Sequence, residues 1–374
     1  MTKIVITGIG LISALGCLEA TWQRLLAKES AIKMQQPFPE LPPYPLALVD
    51  AAPSSSLGLL HQALTHALKD ANLQPPLPDC GVVVGSSRSQ QHQWETLLRT
   101  GTLIDGEVWL STLPHTPAIA TAQHLQTNAA VLAPMAACAT GLWAIAQGYE
   151  LLRQGQHQQV VVGAVETPIT PLTLAGFARM GALATTGCYP FDRHRQGLVL
   201  GEAAVVFVLE QAATARQRSA PIYGQILGAG LTADGYHVSA PDPNNQAAIA
   251  AIHQCLHHSH LSPDDIDFIH AHGTATQLND RNEARLIQAI FPDGIPVSST
   301  KGATGHTLGA SGALGVALCL LALRDQILPP CVGLTTPDVA LNVLTTAQPA
   351  HVCHLLCLSF GFGGQNAVLA LGKT

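Results

Sequence analysis

Ala129-Ala-Val-Leu-Ala-Pro-Met-Ala-Ala-Cys138-Ala-Thr-Gly-Leu-Trp-Ala-Ile-Ala-Gln-Gly-Tyr-Glu-Leu-Leu152, followed by Val160-Val-Val-Gly-Ala-Val165, contains both kinds of element that build this chain. An apolar approach, Ala129 to Pro134, leads into a helix of small and apolar residues over Gly141 to Leu152. Val160 to Val165 then reads as a strand buried on both faces, because its apolar residues run on without alternation. Outward from this unit the pattern repeats. Strands are expected at Gly81 to Gly85, Ala203 to Leu209, Ile222 to Leu227 and Asp267 to Ile269. Helices are expected at Thr21 to Ala27, Leu57 to Ala71, Thr116 to Leu125, Gln246 to His257 and Gly309 to Leu323. Strands alternating with helices imply an α/β fold whose sheets are covered by helices. No low-complexity linker divides the chain. Pro37 to Pro45 and Pro241 to Asn245 are the main breaks, and a boundary near 242 separates two halves, 1–242 and 243–374.

Composition excludes several classes of function. The 374 residues hold 18 Lys+Arg against 24 Asp+Glu, a net charge of −6, with 11% charged and 47% hydrophobic residues. With a negative balance and no basic run, a nucleic-acid groove is not expected. Mean hydropathy is +0.26, yet the longest apolar run, Thr307 to Leu323, is short for a bilayer span and contains Gly309, Gly312 and Gly315. It reads as a buried helix, not a membrane span. The N-terminus passes from Met-Thr-Lys into the strand-like Ile4-Val5-Ile6-Thr7 without a signal peptide, so a cytoplasmic protein is expected. Nine cysteines without CxxC spacing suggest reduced thiols and no zinc site.

Three segments carry chemistry. Ala137-Cys138-Ala139-Thr140-Gly141 puts Cys138 in the first turn of a helix, where free N–H groups and the positive helix end favour a thiolate; the segment alone also admits a small buried thiol. Phe268-Ile269-His270-Ala271-His272-Gly273-Thr274 ends a strand with a turn that presents His272. Ser298-Ser299-Thr300-Lys301-Gly302-Ala303-Thr304-Gly305-His306 repeats that arrangement before the glycine-rich helix. A cysteine with two turn-borne histidines suits thioester chemistry, in which a thiolate carries the acyl group and imidazoles polarise a carbonyl.

With these segments, the sequence resembles the β-ketoacyl-acyl-carrier-protein synthases, condensing enzymes of the thiolase-like fold. The resemblance runs nearly end to end. It takes in Val5 to Gly10, Ala137 to Gly141, Pro190-Phe191-Asp192-Arg193 to Gly201-Glu202, Asp234 to Pro243, His272-Gly273-Thr274, Lys301 to His306 and Ser359-Phe360-Gly361-Phe362-Gly363-Gly364. It implies a five-layer αβαβα fold of two similar halves, a homodimer, and an active site between the halves. Cys138 matches the acyl-accepting nucleophile, and His272 and His306 match the pair serving malonyl decarboxylation and condensation. Lys301 matches the supporting lysine. The N–H groups of Cys138 and Phe362 match the oxyanion hole, and Phe360 and Phe362 fall in the gate loop. Leu198 marks the acyl pocket, while Asp280 and Glu283 match a structural acidic pair. The implied reaction moves an acyl group from a carrier protein onto Cys138, then condenses it with decarboxylating malonyl carrier protein. It requires no cofactor or metal, because the malonyl thioester is the electron sink.

Departures accompany the matches. Gly315 stands where the resemblance leads one to expect a glutamate partner for Lys301, and Gln196-Gly197-Leu198, Leu358 and Gln365 also differ. Two rivals share the fold. One is a silent chain-length-factor-like partner, which would characteristically lack Cys138; the other is a thiolase, which would need a second cysteine within Phe360 to Gly364. The cluster His253, Cys255, His257, His258 and His260 lacks an acidic ligand and reads as a solvated helix end. Gly8-Ile9-Gly10 lacks the third glycine of a dinucleotide fingerprint.

Overall fold

The computed structural model describes residues 2–101 and 109–374. Its frame is a 12-stranded sheet in which one arrangement occurs twice. The first run uses β1 (Ile4–Ser13), β2 (Gly81–Gly85), β3 (Val131–Leu132), β4 (Gln159–Glu166) and β5 (Ala203–Gln211). Their spatial order is β1, β5, β4, β2, β3, with β1/β5 and β5/β4 antiparallel and β4/β2 and β2/β3 parallel. The second run uses β6 (Gly224–Ala233), β7 (Phe268–His270), β8 (Pro296–Ser298), β9 (His354–Gly361) and β10 (Gln365–Gly372). Its order β6, β10, β9, β7, β8 repeats the same antiparallel and parallel pairings. The runs meet where β1 and β6 pair antiparallel from Ile4↔Ile226 to Ile6↔Gly224.

Helices form the other layers. They are α1 (Leu18–Leu26), α2 (Ser56–Asp70), α3 (Thr116–Leu125), α4 (Thr140–Arg153), α5 (Gln246–Ser259), α6 (Gln277–Ile290) and α7 (Ser311–Asp325). α4 and α7 pack on each other between the two runs, α2 and α3 cover the outer face of the first, and α5 and α6 lie outside the second. The result is the expected αβαβα order. Two glycines let the central helices touch: a Cβ on Gly141 would stand 2.7 Å from the Ala313 nitrogen, and one on Gly312 2.7 Å from Leu142 Cγ. Gly8 and Gly10 do comparable work on the outer face, since a Cβ on Gly10 would lie 1.8 Å from the Ala63 carbonyl oxygen of α2. They make room for a helix, not for a phosphate.

Residues Ser311 to Leu323 of α7 are all buried, which explains why no polar face interrupts their sequence. Leu308–Asp325 is long and apolar enough to cross a membrane, but 89% of it lies inside the protein as a core helix. Several bounds shift, and the helix read from Thr21 begins three residues earlier, at Leu18. The strand read from Ile222 begins at Gly224, and it alternates buried with half-buried positions as far as Leu231. The helix read from Gly309 begins at Ser311 after a separate 3-10 turn, Leu308–Ala310.

Candidate active site

Cys138 sits in a 3-10 turn, Ala137–Ala139, immediately before α4. Ala137 takes a left-handed φ of 47°, and Thr140 braces the turn by accepting from the Ala136 N–H at 2.9 Å and donating to the Ala137 carbonyl at 2.7 Å. Ser359 Oγ donates to the Cys138 carbonyl at 2.9 Å, tying the turn to β9. Past β9 the chain folds over the sulfur, and the Phe362 N–H donates to Cys138 Sγ. Gly361 permits this approach, for a Cβ there would meet the Ala136 carbonyl oxygen at 2.6 Å and the Cys138 nitrogen at 3.1 Å. Burial pushes the Cys138 thiol up to about 11, although Lys301 pulls it down, because desolvation disfavours the anion more than the turn favours it.

The two histidines come from turns of the second run. Beyond β7, Gly273 adopts φ 41°, and Glu283 of α6 accepts the N–H groups of His272 and Gly273 at 2.6 and 2.7 Å. His306 follows Gly305, whose φ is 68°, and its Nδ1 bonds Ser311 Oγ at 2.9 Å. The imidazoles meet edge to face, centroids 5.4 Å apart. Burial, with Lys301 next, holds both well below the ordinary imidazole range, so both are neutral. One nitrogen of each lies with Cys138 Sγ inside a 4.8 Å group. Such a trio could also ligate a soft cation, but its placement around a thiol with a backbone donor aimed at sulfur fits acyl transfer.

Lys301 is buried beside this group and donates to the His272 carbonyl oxygen. No ion pair joins it to a carboxylate among the described residues. Burial lowers its pKa, and Glu283 is the strongest counteracting charge. Glu283 itself is pushed up to about 7 by burial. Asp280 accepts from the Phe191 N–H at 2.7 Å and the Ala275 N–H at 3.2 Å, so the acidic pair holds loops, as expected. The ground beside Gly315 is filled: a Cβ there would lie 2.8 Å from the His270 ring and 2.9 Å from Cys357 Sγ.

Cys138, His272 and His306 open into a cavity of about 340 Å³ that Leu198, Phe360 and Phe362 also line. Leu198 is buried in an apolar cluster with Cys138, Leu174 and Phe177. Phe362 is 37% exposed at the rim and packs tilted against Phe177, with ring centroids 6.1 Å apart. Phe360 packs edge-on against His272 at 5.9 Å. The predicted residues thus converge, with Lys301 one layer behind the wall. The histidines of α5 lie outside this site; His258 Nδ1 bonds the Ala229 carbonyl oxygen at 2.8 Å. Sequence reasoning missed Ser311, Ser359 and Glu166. The last is buried at the end of β4, where it accepts from Ser86 Oγ at 2.8 Å and from the N–H groups of Ser87, Arg88 and Gly309 at 2.8, 2.9 and 3.0 Å. An acid closing an apolar strand was the available signal.

Residues 51–215 match the family pattern described as "Beta-ketoacyl synthase, N-terminal domain", and 223–335 match "Beta-ketoacyl synthase, C-terminal domain". The 3-oxoacyl-[acyl-carrier-protein] synthase 2 of Mycobacterium leprae is 34% identical over 404 residues, covering 99% of this chain and 96% of that protein. The synthase 2 of Staphylococcus aureus is 36% identical over 252 residues, covering 64% and 61%. Among solved structures, a type II PKS acyl-carrier protein in complex with its ketosynthase superposes with a TM-score of 0.93 at 26% identity, covering all of both chains. A ketosynthase in complex with its chain length factor, from Xenorhabdus doucetiae, gives 0.87 at 28%, covering 100% and 98%. A thiolase-like αβαβα frame with a buried Cys-His-His trio defines a condensing acyltransferase. The chain belongs to the β-ketoacyl synthase family, whose condensation serves fatty acid or polyketide biosynthesis.

Proposed function

We propose that Cys138 accepts an acyl group from one carrier protein and that His272, His306 and Lys301 turn malonyl carrier protein into the attacking carbanion. In the first half, Cys138 sulfur displaces the carrier thiol from its thioester and gives up its own proton, leaving acyl-Cys138 and free carrier. In the second, the malonyl carboxylate departs as carbon dioxide while the histidines stabilise the enolate oxygen. The carbanion attacks the Cys138 thioester, and the oxyanion is met by the N–H groups of Cys138 and Phe362. Collapse expels Cys138 sulfur, which recovers a proton, and releases a β-ketoacyl carrier protein longer by two carbons.

The carrying observation is that a backbone N–H and two neutral imidazoles, on three different loops, converge on one buried sulfur. Leu198 and its apolar neighbours form the acyl pocket in this reading, Phe360 and Phe362 the gate, and the two halves, one bearing Cys138 and the other His272 and His306, the two contributors to the cleft. The enzyme works as a cytoplasmic homodimer. The retained Cys138 weighs against a silent chain-length-factor-like role, and the absence of cysteine from Phe360 to Gly364 weighs against a thiolase. Intact-protein mass after incubation with an acyl carrier protein tests the reading. The wild type should gain one acyl mass and Cys138→Ala none; an acylated Cys138→Ala would end the assignment.

A further inference from the structure

Lys301 is a buried cation without an ion-pair partner among the described residues, and the side chains behind it are unusual for that setting. His270, the last residue of β7, is 3% exposed and lies beside Cys357 of β9 in the parallel ladder. Both its ring nitrogens are engaged: Nδ1 faces Cys357 Sγ at 3.8 Å, and Nε2 bonds Thr300 Oγ1 at 3.2 Å. Cys357 Sγ also lies 3.7 Å from the Gly312 carbonyl oxygen. Thr300 immediately precedes Lys301, and its carbonyl accepts from the Ala303 and Thr304 N–H groups at 2.9 and 3.1 Å, closing the turn that carries the lysine. The pair also occupies the ground beside Gly315, where any larger residue would collide with His270 and Cys357.

We propose that His270 and Cys357 form a buried imidazole–thiol pair that positions Lys301, through Thr300, for the decarboxylation half of the reaction. This rests on the ketosynthase reading. Two proton placements keep the ring bonded at both ends. With the proton on sulfur, the thiol donates to the Gly312 carbonyl oxygen, Nδ1–H donates to Sγ, and the Thr300 hydroxyl donates to Nε2. With that proton moved to the imidazole, Nδ1–H faces a thiolate and Nε2–H donates to Thr300. The second form puts a negative sulfur within electrostatic reach of Lys301. Burial opposes it, but hydrogen bonds from Cys319 and His270 outweigh burial and lower the Cys357 thiol below its ordinary range. Either form fixes the turn, so His270 is a positioning residue; it does not line the cavity.

The test separates acyl loading, read by intact mass, from carbon dioxide release by malonyl carrier protein. His270→Ala should lower carbon dioxide release at least tenfold while loading stays within threefold of wild type. His270→Leu keeps the packing but loses both hydrogen bonds, and should match it; it carries the test if the alanine variant does not fold. His270→Gln, whose amide can still donate toward Thr300, should recover most of the loss. Wild-type carbon dioxide release by His270→Leu would overturn the proposal, as would equal damage to loading and release, or a glutamine variant no better than leucine. A wild-type enzyme that neither loads Cys138 nor releases carbon dioxide would overturn the ketosynthase reading instead.

Discussion

The two runs of the sheet hold different chemistry at corresponding stations. After β3 of the first run the chain turns into α4 and presents Cys138; after β8 of the second it turns toward α7 and presents Lys301 and His306. The loop after β2 is pinned by buried Glu166, which accepts the N–H groups of Ser87 and Arg88, and the loop after β7 by buried Glu283, which accepts those of His272 and Gly273. The architecture is therefore duplicated down to a carboxylate holding a loop, whereas the groups presented are not. The first half offers an apolar wall and a sulfur that burial keeps as a thiol; the second offers imidazoles that burial keeps neutral, with a cation behind them. A duplicated frame can thus present a sulfur from one half and two imidazoles from the other.

The largest break in that division would come from His306. If the second half serves decarboxylation, His306→Ala should slow carbon dioxide release from malonyl carrier protein by about 10²–10⁴-fold. Acyl loading of Cys138 should continue. Loading abolished together with release would show that the labour is shared, and release at the wild-type rate would remove His306 from the step.

A smaller effect concerns the sulfur itself. With the thiol at about 11, lowering the pH below that value only protonates it further and raising the pH exposes thiolate. Alkylation of Cys138 by iodoacetamide should therefore quicken about tenfold per pH unit between pH 7 and 9. A plateau by pH 8 would mean that Lys301 and the helix end already hold a thiolate.

How far this could be read from sequence follows from the kind of signal each residue leaves. The buried strands and central helices declared themselves because packing on both faces leaves continuous apolar runs, as at Val160 to Val165 and in α7. Cys138, His272 and His306 were legible because each stands in a glycine-bearing turn beside an element start or end. The state of the sulfur was not, since burial is a property of the assembled halves and reverses what a helix N-terminus alone would give. His270 and Cys357 also escaped, because residues 87 positions apart become partners only through the β7/β9 ladder. Ser311 left no mark, and Ser359 no sign of its bond to Cys138, as hydroxyls are common in turns and strand ends.

Glycines provide a milder test of how tightly the second half is built. Gly315→Ala drives a methyl to within 2.8 Å of His270 and 2.9 Å of Cys357, and should cost about 1–3 kcal/mol in chemical denaturation. Gly176, in the helix Pro171–Arg179, has open space for at least 4 Å around the point where a methyl would stand, so Gly176→Ala should instead stabilise by about 0.5–1 kcal/mol. Equal effects at the two sites would mean that His270 and Cys357 move aside readily.

The smallest expected effect lies at the cavity mouth, where the halves meet solvent together. Met180 from the first half is 52% exposed, and Leu278 from the second 49%; with Phe362 they give the opening an apolar rim. The basic residues of the Pro190 segment do not all reach that rim. Arg195 is 2% exposed and ion-paired to Asp338 at 2.9 Å, which leaves Arg193 as the exposed guanidinium of the pair. Arg88, 5.8 Å over the Phe177 ring, and Arg179, next to Met180 in the chain, are also exposed. Charge complementarity, however, acts chiefly on association rate and is screened over about 8 Å at physiological ionic strength, so these few guanidinium groups add little beside the apolar rim. Carrier-protein association should therefore fall only about two- to threefold between 50 and 300 mM salt, well short of the steep loss seen when steering dominates. Met180→Ser and Leu278→Ser should each slow loading more than Arg193→Ala does. A steep salt dependence, or an Arg193→Ala effect larger than either, would show that docking relies on charge despite the apolar rim.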